Sequence, residues 1–302
     1  SMKLYAPSTI REIKEKYGFR LSKSLGQNFL TDKNIIDEII EGAGIGPRDL
    51  VIEIGPGIGV LTWEAAQRAQ KVIAVEIDQN LIPILGETLR EADNIEIVNQ
   101  DILKTDLNTL IEAKKAEAEA AGMPLAHVRV IGNLPYYITT PIIMKLLESD
   151  VRFDNITVMI QKEVAARLTS KPGEPDYGAI TASVARYGTA RRLFTVSAGS
   201  FIPAPKVDSA VIRIETSRER SYTVKDEKTL TRCIRGAFAL RRKTLVNSLA
   251  SEFGEIGKAG IASAVISAGF PENIRGEQLG IPEFARLSDE LYIAINHPNG
   301  GT

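Results

Sequence analysis

Five short apolar runs, each followed by a stretch of helical character, constrain this chain more than any other feature. They are Leu50 to Ile54, Lys71 to Glu76, Ile95 to Val98, His127 to Ile131 and Asn155 to Ile160. Continuous apolar runs of this length read as strands buried on both faces. Strands that alternate with helices form a parallel sheet covered by helices on both sides. Two later strands, near Leu193 to Phe201 and Ser209 to Ile214, are joined by Pro203-Ala204-Pro205. So short and stiff a link suits an antiparallel addition at the sheet edge.

The remaining segments read mostly as helices. Ile35, Ile36, Ile39 and Ile40 recur at helical spacing after Thr31, a candidate cap, and Gly42, Gly44, Gly46 and Pro47 close that helix. A second helix is expected from about Val60 to Ala69. Glu112 to Ala121, rich in Ala, Glu and Lys, reads as a solvated helix without a site. After Ser217 no strand pattern remains; Thr229 to Leu249 is expected to be helical, and helices continue to about Asn296. The expectation is an α/β domain over residues 1–216 and a small all-helical domain over 217–302.

Composition narrows the chemistry. One cysteine, Cys233, and two histidines, His127 and His297, leave little from which to build a disulfide, a thiolate cluster or a histidine metal site. No segment resembles a signal peptide, and no apolar run approaches the roughly 20 residues that span a bilayer. A soluble cytoplasmic protein is the expectation. The formal net charge of −1 averages over the whole chain, whereas Arg213 to Lys243 holds ten Lys/Arg against four Asp/Glu.

Candidate chemistry gathers where strands end. Gly55, Gly57 and Gly59 lie between a strand and a helix, so the backbone can turn tightly and approach a ligand. Their G-x-G-x-G spacing differs from the dinucleotide fingerprint. Glu53, just ahead of the loop, would repel a pyrophosphate but suit a cationic amino group. Glu76 ends the second strand, where an acid can accept from both ribose hydroxyls. Asp101, after the third strand, could accept from an adenine amino group. Each acid alone also reads as a cap or a solvated strand end. Three of them at consecutive strand ends beside a glycine loop favour an adenosine-type cofactor without a pyrophosphate. After the fourth strand comes Asn133-Leu134-Pro135-Tyr136, an amide acceptor, a stiff turn and a flat ring. This suits a grip on the amine of a base, although a strand-ending turn has the same composition.

Taken together, Glu53 to Gly59, Val75-Glu76-Ile77-Asp78, Gln100-Asp101 and Asn133 to Tyr136 resemble the S-adenosylmethionine-dependent rRNA adenine N6-methyltransferases. Lys23 to Leu30 resembles the family's amino-terminal cofactor lid, Phe201 to Ser209 its aromatic loop, and Phe238 to Leu245 the carboxy-terminal helix of the small-subunit branch. The resemblance runs from about Tyr17 to Leu287; only the segment 112–126 does not align. It implies a Rossmann-like, seven-stranded class I methyltransferase domain, mostly parallel with an antiparallel last strand. It also implies S-adenosyl-L-methionine as cofactor, S-adenosyl-L-homocysteine as product, and no metal. Asn28 and Leu30 would contact the cofactor from the lid, Leu30 through its backbone. Gly55 and Gly57 would admit the methionine part, with Glu53 near its amino group. Glu76 would hold the ribose and Asp101 the adenine, and Asn133 would sit between cofactor and target.

The implied activity is dimethylation of N6 on two adjacent adenosines in the hairpin loop near the 3′ end of small-subunit rRNA, within an immature 30S-type particle. In that reading Asn133 and the Leu134 carbonyl accept the two amine N–H groups, and Tyr136 and Phe201 clamp the flipped base. Phe201 also reads as an ordinary core aromatic. Arg235, Arg241, Arg242 and Lys243 form the first candidate RNA surface, and equally a solvated helix face. A monomer is the default. Three rivals stay open: a large-subunit rRNA methylase of the macrolide-resistance type, a DNA adenine methyltransferase, and an assembly or transcription factor using the fold as a scaffold.

Overall fold

A computed structural model of the chain describes residues 3–18, 20, 27–217 and 219–298. Lys23 to Gly26 of the lid motif lie outside the described residues. Seven strands form one sheet: β1 (Asp49–Ile54), β2 (Lys71–Val75), β3 (Ile95–Val98), β4 (His127–Asn133), β5 (Asn155–Gln161), β6 (Gly188–Val196) and β7 (Ser209–Thr216). Their spatial order is β3-β2-β1-β4-β5-β7-β6. The pairs from β3 to β5 are parallel, and β7 runs antiparallel to β5, with Gln161 opposite Ser209. The last strand is therefore not the edge. It inserts between β5 and β6, and β6, which starts five residues earlier than expected, takes the outer position.

The central strands are apolar because both faces are covered. Leu50, Val51, Ile52, Val130, Ile131, Ile156 and Val158 are wholly buried. The order reverses between β1 and β4, and in open α/β sheets a crevice for ligands opens at such a reversal. Gly132 lies there, opposite Ile54. A Cβ on it would stand 2.8 Å from the Ile54 carbonyl oxygen, so close strand packing demands glycine at this position.

Local signals hold with small shifts. The first helix after the lid motif spans Lys33–Ala43 and is capped by Asp32, not Thr31. The Asp32 carboxylate accepts from the Asn34 and Ile35 amides, while the Thr31 hydroxyl donates to the Ser200 carbonyl. The helix expected from Val60 ends at Ala66. The Ala/Glu/Lys helix runs from Leu107 to Ala120 and buries only Leu107 and Ile111.

Two compact units emerge, but their division is not the linear one. The first comprises 1–165 and 190–216; the second comprises 166–189 and 217–302. One division falls after 216, and residues 166–189 group with the carboxy-terminal helices. Their apolar side chains explain this. Tyr177 and Ala182 are part of the second unit's core with Leu230, Leu249, Phe253 and Phe284, and the Tyr177 hydroxyl donates to the Leu279 carbonyl.

That unit also corrects the expected helix over 229–249. One helix spans Glu227–Ala237 and the next Leu245–Leu249, with a turn between. Gly236 sits 3.0 Å, measured from where a Cβ would be, from Leu249 and Glu252, so the two helices meet closely there. Arg242 adopts a left-handed φ of 63°, which no helix continues through. The Thr244 hydroxyl then caps the second helix at the Asn247 amide.

Candidate active site

A cleft of about 680 Å³, partly open to solvent, lies at the carboxyl ends of β1, β2 and β4. Gly55, Gly57, Glu76, Gln100, Asp101 and Asn133 line it, as do Gln27, Asn28 and Phe29. Of the residues expected to meet a cofactor, Asn28, Gly55, Gly57, Glu76, Asp101 and Asn133 are therefore brought together. Leu30 and Glu53 are not on the wall.

The glycine loop passes through left-handed φ values at Gly55, Gly57 and Gly59 (69°, 60° and 97°), which side-chain-bearing residues rarely adopt. Gly57 has a second constraint: a Cβ would stand 3.2 Å from the Phe29 ring. Its amide donates to Glu76 Oε1 at 3.2 Å, and the Asp78 amide donates to Glu76 Oε2 at 3.0 Å. Glu76 is thereby held by backbone donors on both of its oxygens. Burial pushes its pKa up to about 7, against backbone hydrogen bonds from Asp78, Gly57 and Ile77.

Glu53 lies behind the loop, 1% exposed, and accepts from the Thr62 hydroxyl. Burial above all, reinforced by the neighbouring Glu76, raises its pKa to about 8, while the Thr62 bond pulls the other way. Near neutral pH this carboxyl holds its proton, and a nearby cation would favour its ionisation. Asp101 caps the short turn Ile102–Lys104 through one oxygen, which accepts from the Leu103 amide at 2.9 Å.

At the end of β4, Asn133 Nδ2 donates to the Asn28 carbonyl at 3.1 Å. With its nitrogen engaged there, the amide presents its oxygen in the other direction, as an acceptor. The Leu134 amide is anchored to the Met159 carbonyl at 3.1 Å, and no described group donates to the Leu134 carbonyl. Tyr136–Ile138 is one turn of 3₁₀ helix, in which successive side chains diverge by about 120°. The Tyr136 hydroxyl accordingly reaches the buried Ser209 hydroxyl at 2.5 Å, while Tyr137, 56% exposed, stands at the cleft mouth. Sequence reasoning passed over Tyr137; its exposed ring directly after the amide-turn motif was the available signal.

Phe201 departs most from expectation. It is 3% exposed and belongs to the core beneath the cleft with Phe29 and Leu30. The reason is a two-stranded antiparallel ribbon in which Leu30 pairs with Phe201 and Phe29 with Ile202. The core-aromatic reading of Phe201 describes this structure; a wall facing the base does not.

In the second unit, Arg235 is engaged by Glu252 at 2.6 Å, as is Arg232 at 3.4 Å. Arg241, Arg242 and Lys243 lie in the turn, exposed, and make no ion pair among the described residues. Among the described residues there is also no group of three or more His, Cys, Asp or Glu placed to hold a metal, and no helix long and apolar enough to cross a membrane.

A mostly parallel sheet with a glycine loop and a cleft at its strand ends is the architecture of the Rossmann-like methyltransferases. The family model described as ribosomal RNA adenine dimethylase matches residues 18–272, and the chain belongs to that family. It is similar to the ribosomal RNA small subunit methyltransferase A of Alkaliphilus metalliredigens, 48% identical over 96% of this chain and 98% of that one. The protein of the same name from Clostridioides difficile is 46% identical over 97% of this chain and 99% of that one. Among solved structures, the 23S rRNA methyltransferase ErmE superposes with a TM-score of 0.65 at 27% identity, covering 88% of this chain and all of that one. A dimethyladenosine transferase from Plasmodium falciparum gives a TM-score of 0.68 at 24% identity, over 86% and 95% of the two chains, and shares the fold.

Proposed function

We infer that the chain transfers methyl groups from S-adenosyl-L-methionine to N6 of adenosine in small-subunit rRNA, dimethylating two adjacent adenosines of the hairpin loop near the 3′ end. Relatives at 44–48% identity that carry the small-subunit name, aligned over nearly their whole length, favour this target over a large-subunit one. The observation that carries the mechanism is the orientation of Asn133, whose nitrogen is committed to the Asn28 carbonyl.

The cleft suits the cofactor on its own features: a glycine cradle, a Glu76 carboxylate held by backbone amides on its wall, and Asp101 beside Gln100. Bound there, the sulfonium supplies an activated methyl and a good leaving group. Glu76 would hold the ribose hydroxyls and Asp101 the adenine amine. Glu53, not on the wall, would act through the loop as a buried counter-charge to the ammonium.

At the rim, the Asn133 oxygen and the Leu134 carbonyl would accept the two N–H groups of the target amine. This geometry turns its lone pair out of conjugation and toward the methyl. Alignment and charge stabilisation carry the reaction, and the methylated amine gives up one proton late, to water, after each transfer, so no strong base is needed. Tyr136, off the cleft wall and tied to Ser209 but only partly buried, would give the flipped base one stacking face. The exposed cations Arg241, Arg242 and Lys243 offer phosphate contacts that would hold an immature small-subunit particle. Labelled cofactor incubated with immature small subunits, large-subunit RNA and duplex DNA tests the reading. Two methyl groups on each of two adjacent adenosines of the small subunit are expected; label confined to large-subunit RNA or DNA, or none, would overturn it.

A further inference from the structure

Asp78 has no part in the chemistry described so far, yet it is 6% exposed and both of its oxygens are used. Oδ1 accepts from the Asn80 amide at 3.0 Å, and Oδ2 accepts from the side-chain amide of Gln27 at 2.8 Å. Gln27 belongs to a strap, residues 27–31, of which Gln27, Asn28 and Phe29 line the cleft. Its next residue, Asn28, supplies the carbonyl that takes the Asn133 amide nitrogen at 3.1 Å. Phe29 then packs on Gly57, and the Thr31 amide is fastened to the Ser200 carbonyl at 2.8 Å. The strap is thus anchored on both sides of the one peptide that orients the amide.

An amide turned by half a rotation would present N–H groups where an acceptor is needed, and would oppose the target amine instead of gripping it. The Asn28 carbonyl excludes that rotamer only while the strap holds its place. The Thr31 and Phe29 contacts fix it on the far side, and the Gln27 bond to Asp78 fixes it on the β2 side. Asp78 itself is held by the stretch that positions Glu76, because its own amide donates to Glu76 Oε2 at 3.0 Å.

We propose that Asp78 and Gln27 are positioning residues for catalysis, the Gln27–Asp78 hydrogen bond fixing the strap whose Asn28 carbonyl sets the Asn133 amide with its oxygen toward the target amine. This rests on the functional reading above. Gln27→Glu sets a carboxylate against that of Asp78 and breaks the bond. It should lower kcat on immature small subunits about 10- to 100-fold, the range expected when a reacting geometry is displaced by a fraction of an ångström to an ångström. Because Gln27 also lines the cleft, the Kd for S-adenosyl-L-homocysteine should rise, but by a much smaller factor than kcat falls, and the KM for particles should stay within about threefold. Adding Asp78→Asn to that variant restores an amide-to-carboxylate bond with its direction reversed, and should recover most of kcat. Melting temperatures of all variants control for folding. A cofactor Kd that rises in step with the loss of kcat, no loss in Gln27→Glu, or no recovery in the double variant would each overturn the proposal. A wild-type enzyme inactive on small-subunit particles would instead overturn the functional reading.

Discussion

At the strand ends of the first unit, charge is buried and matched; in the turn at 238–244 of the second, it is exposed and unmatched. Glu53, Glu76 and Asp78 are between 1% and 6% exposed, and each accepts from a neighbouring hydroxyl, amide or backbone group. Among the described residues the side chains of Arg241, Arg242 and Lys243 make no ion pair, although the Arg242 backbone amide donates to Glu277 Oε1 at 3.3 Å, whereas nearby Arg235 is engaged by Glu252. The contrast separates two uses of charge. Buried acids with fixed donors are pre-organised for a small ligand, because no reorganisation is needed when it arrives. Exposed cations without internal acids keep their full attraction for an external polyanion.

Changes on the buried side should have the largest effect. Asn133→Ala removes the amine acceptor and should lower kcat by at least about 10²- to 10³-fold, as removal of an aligned electrostatic group does. Cofactor affinity, measured by calorimetry, should fall only modestly; normal turnover would sink the mechanism. On the exposed side, Arg241→Glu with Arg242→Glu should weaken particle binding about tenfold or more. The same pair should flatten the salt dependence of binding by about one unit of slope for each phosphate that is no longer neutralised. Cofactor affinity should not change. Arg235→Ala, by contrast, should leave particle affinity nearly unaltered, since Glu252 already engages that cation. If Arg235 mattered as much as its neighbours, the distinction between engaged and unengaged cations would fail.

Two smaller effects probe the buried side further. Gly132→Ala forces a methyl against the Ile54 carbonyl and should destabilise the protein by roughly 1–3 kcal/mol, read from a denaturant midpoint. The raised pKa values of Glu53 and Glu76 also predict the sign of a pH effect. Between the ordinary carboxylate range and about 7 to 8, the folded cofactor-free protein binds more protons than the unfolded chain. Its stability should therefore fall as pH rises through that window. Melting temperature should drop by a few degrees from pH 5 to pH 8, and Glu53→Gln should flatten the slope. A melting temperature that rises over that interval in the cofactor-free protein would contradict the burial of these acids.

Much of the first unit could be read from the chain because its signals are local. An apolar run bounded by glycines locates a strand, and the residue after it lies at a strand end whatever the rest of the fold does. Glu76, Asp101 and Asn133 were found in this way. What could not be read depends on distant partners. Phe201 is buried because residues 29–30 come to pair with it from 170 positions away, and no local pattern records that. Tyr136 and Tyr137 are adjacent identical rings; only the Ser209 hydroxyl decides which is turned inward. The break after Ala237 has the same origin. Its sequence reads as continuous helix, but close approach at Gly236 and the left-handed Arg242 impose a turn.

The assignment of residues 166–189 to the helical unit means that no single cut separates the two halves of this enzyme. A fragment beginning at 217 would lack Tyr177, Ala182 and the Arg186 side chain that bonds Glu227 at 2.6 Å and Thr231 at 2.8 Å. The complementary fragment would carry those residues with nothing to bury them. During synthesis the middle segment emerges well before its partners and waits for the final helices. Exchanging the helical unit between relatives therefore requires transplanting two segments together, because the two units are interleaved along the chain.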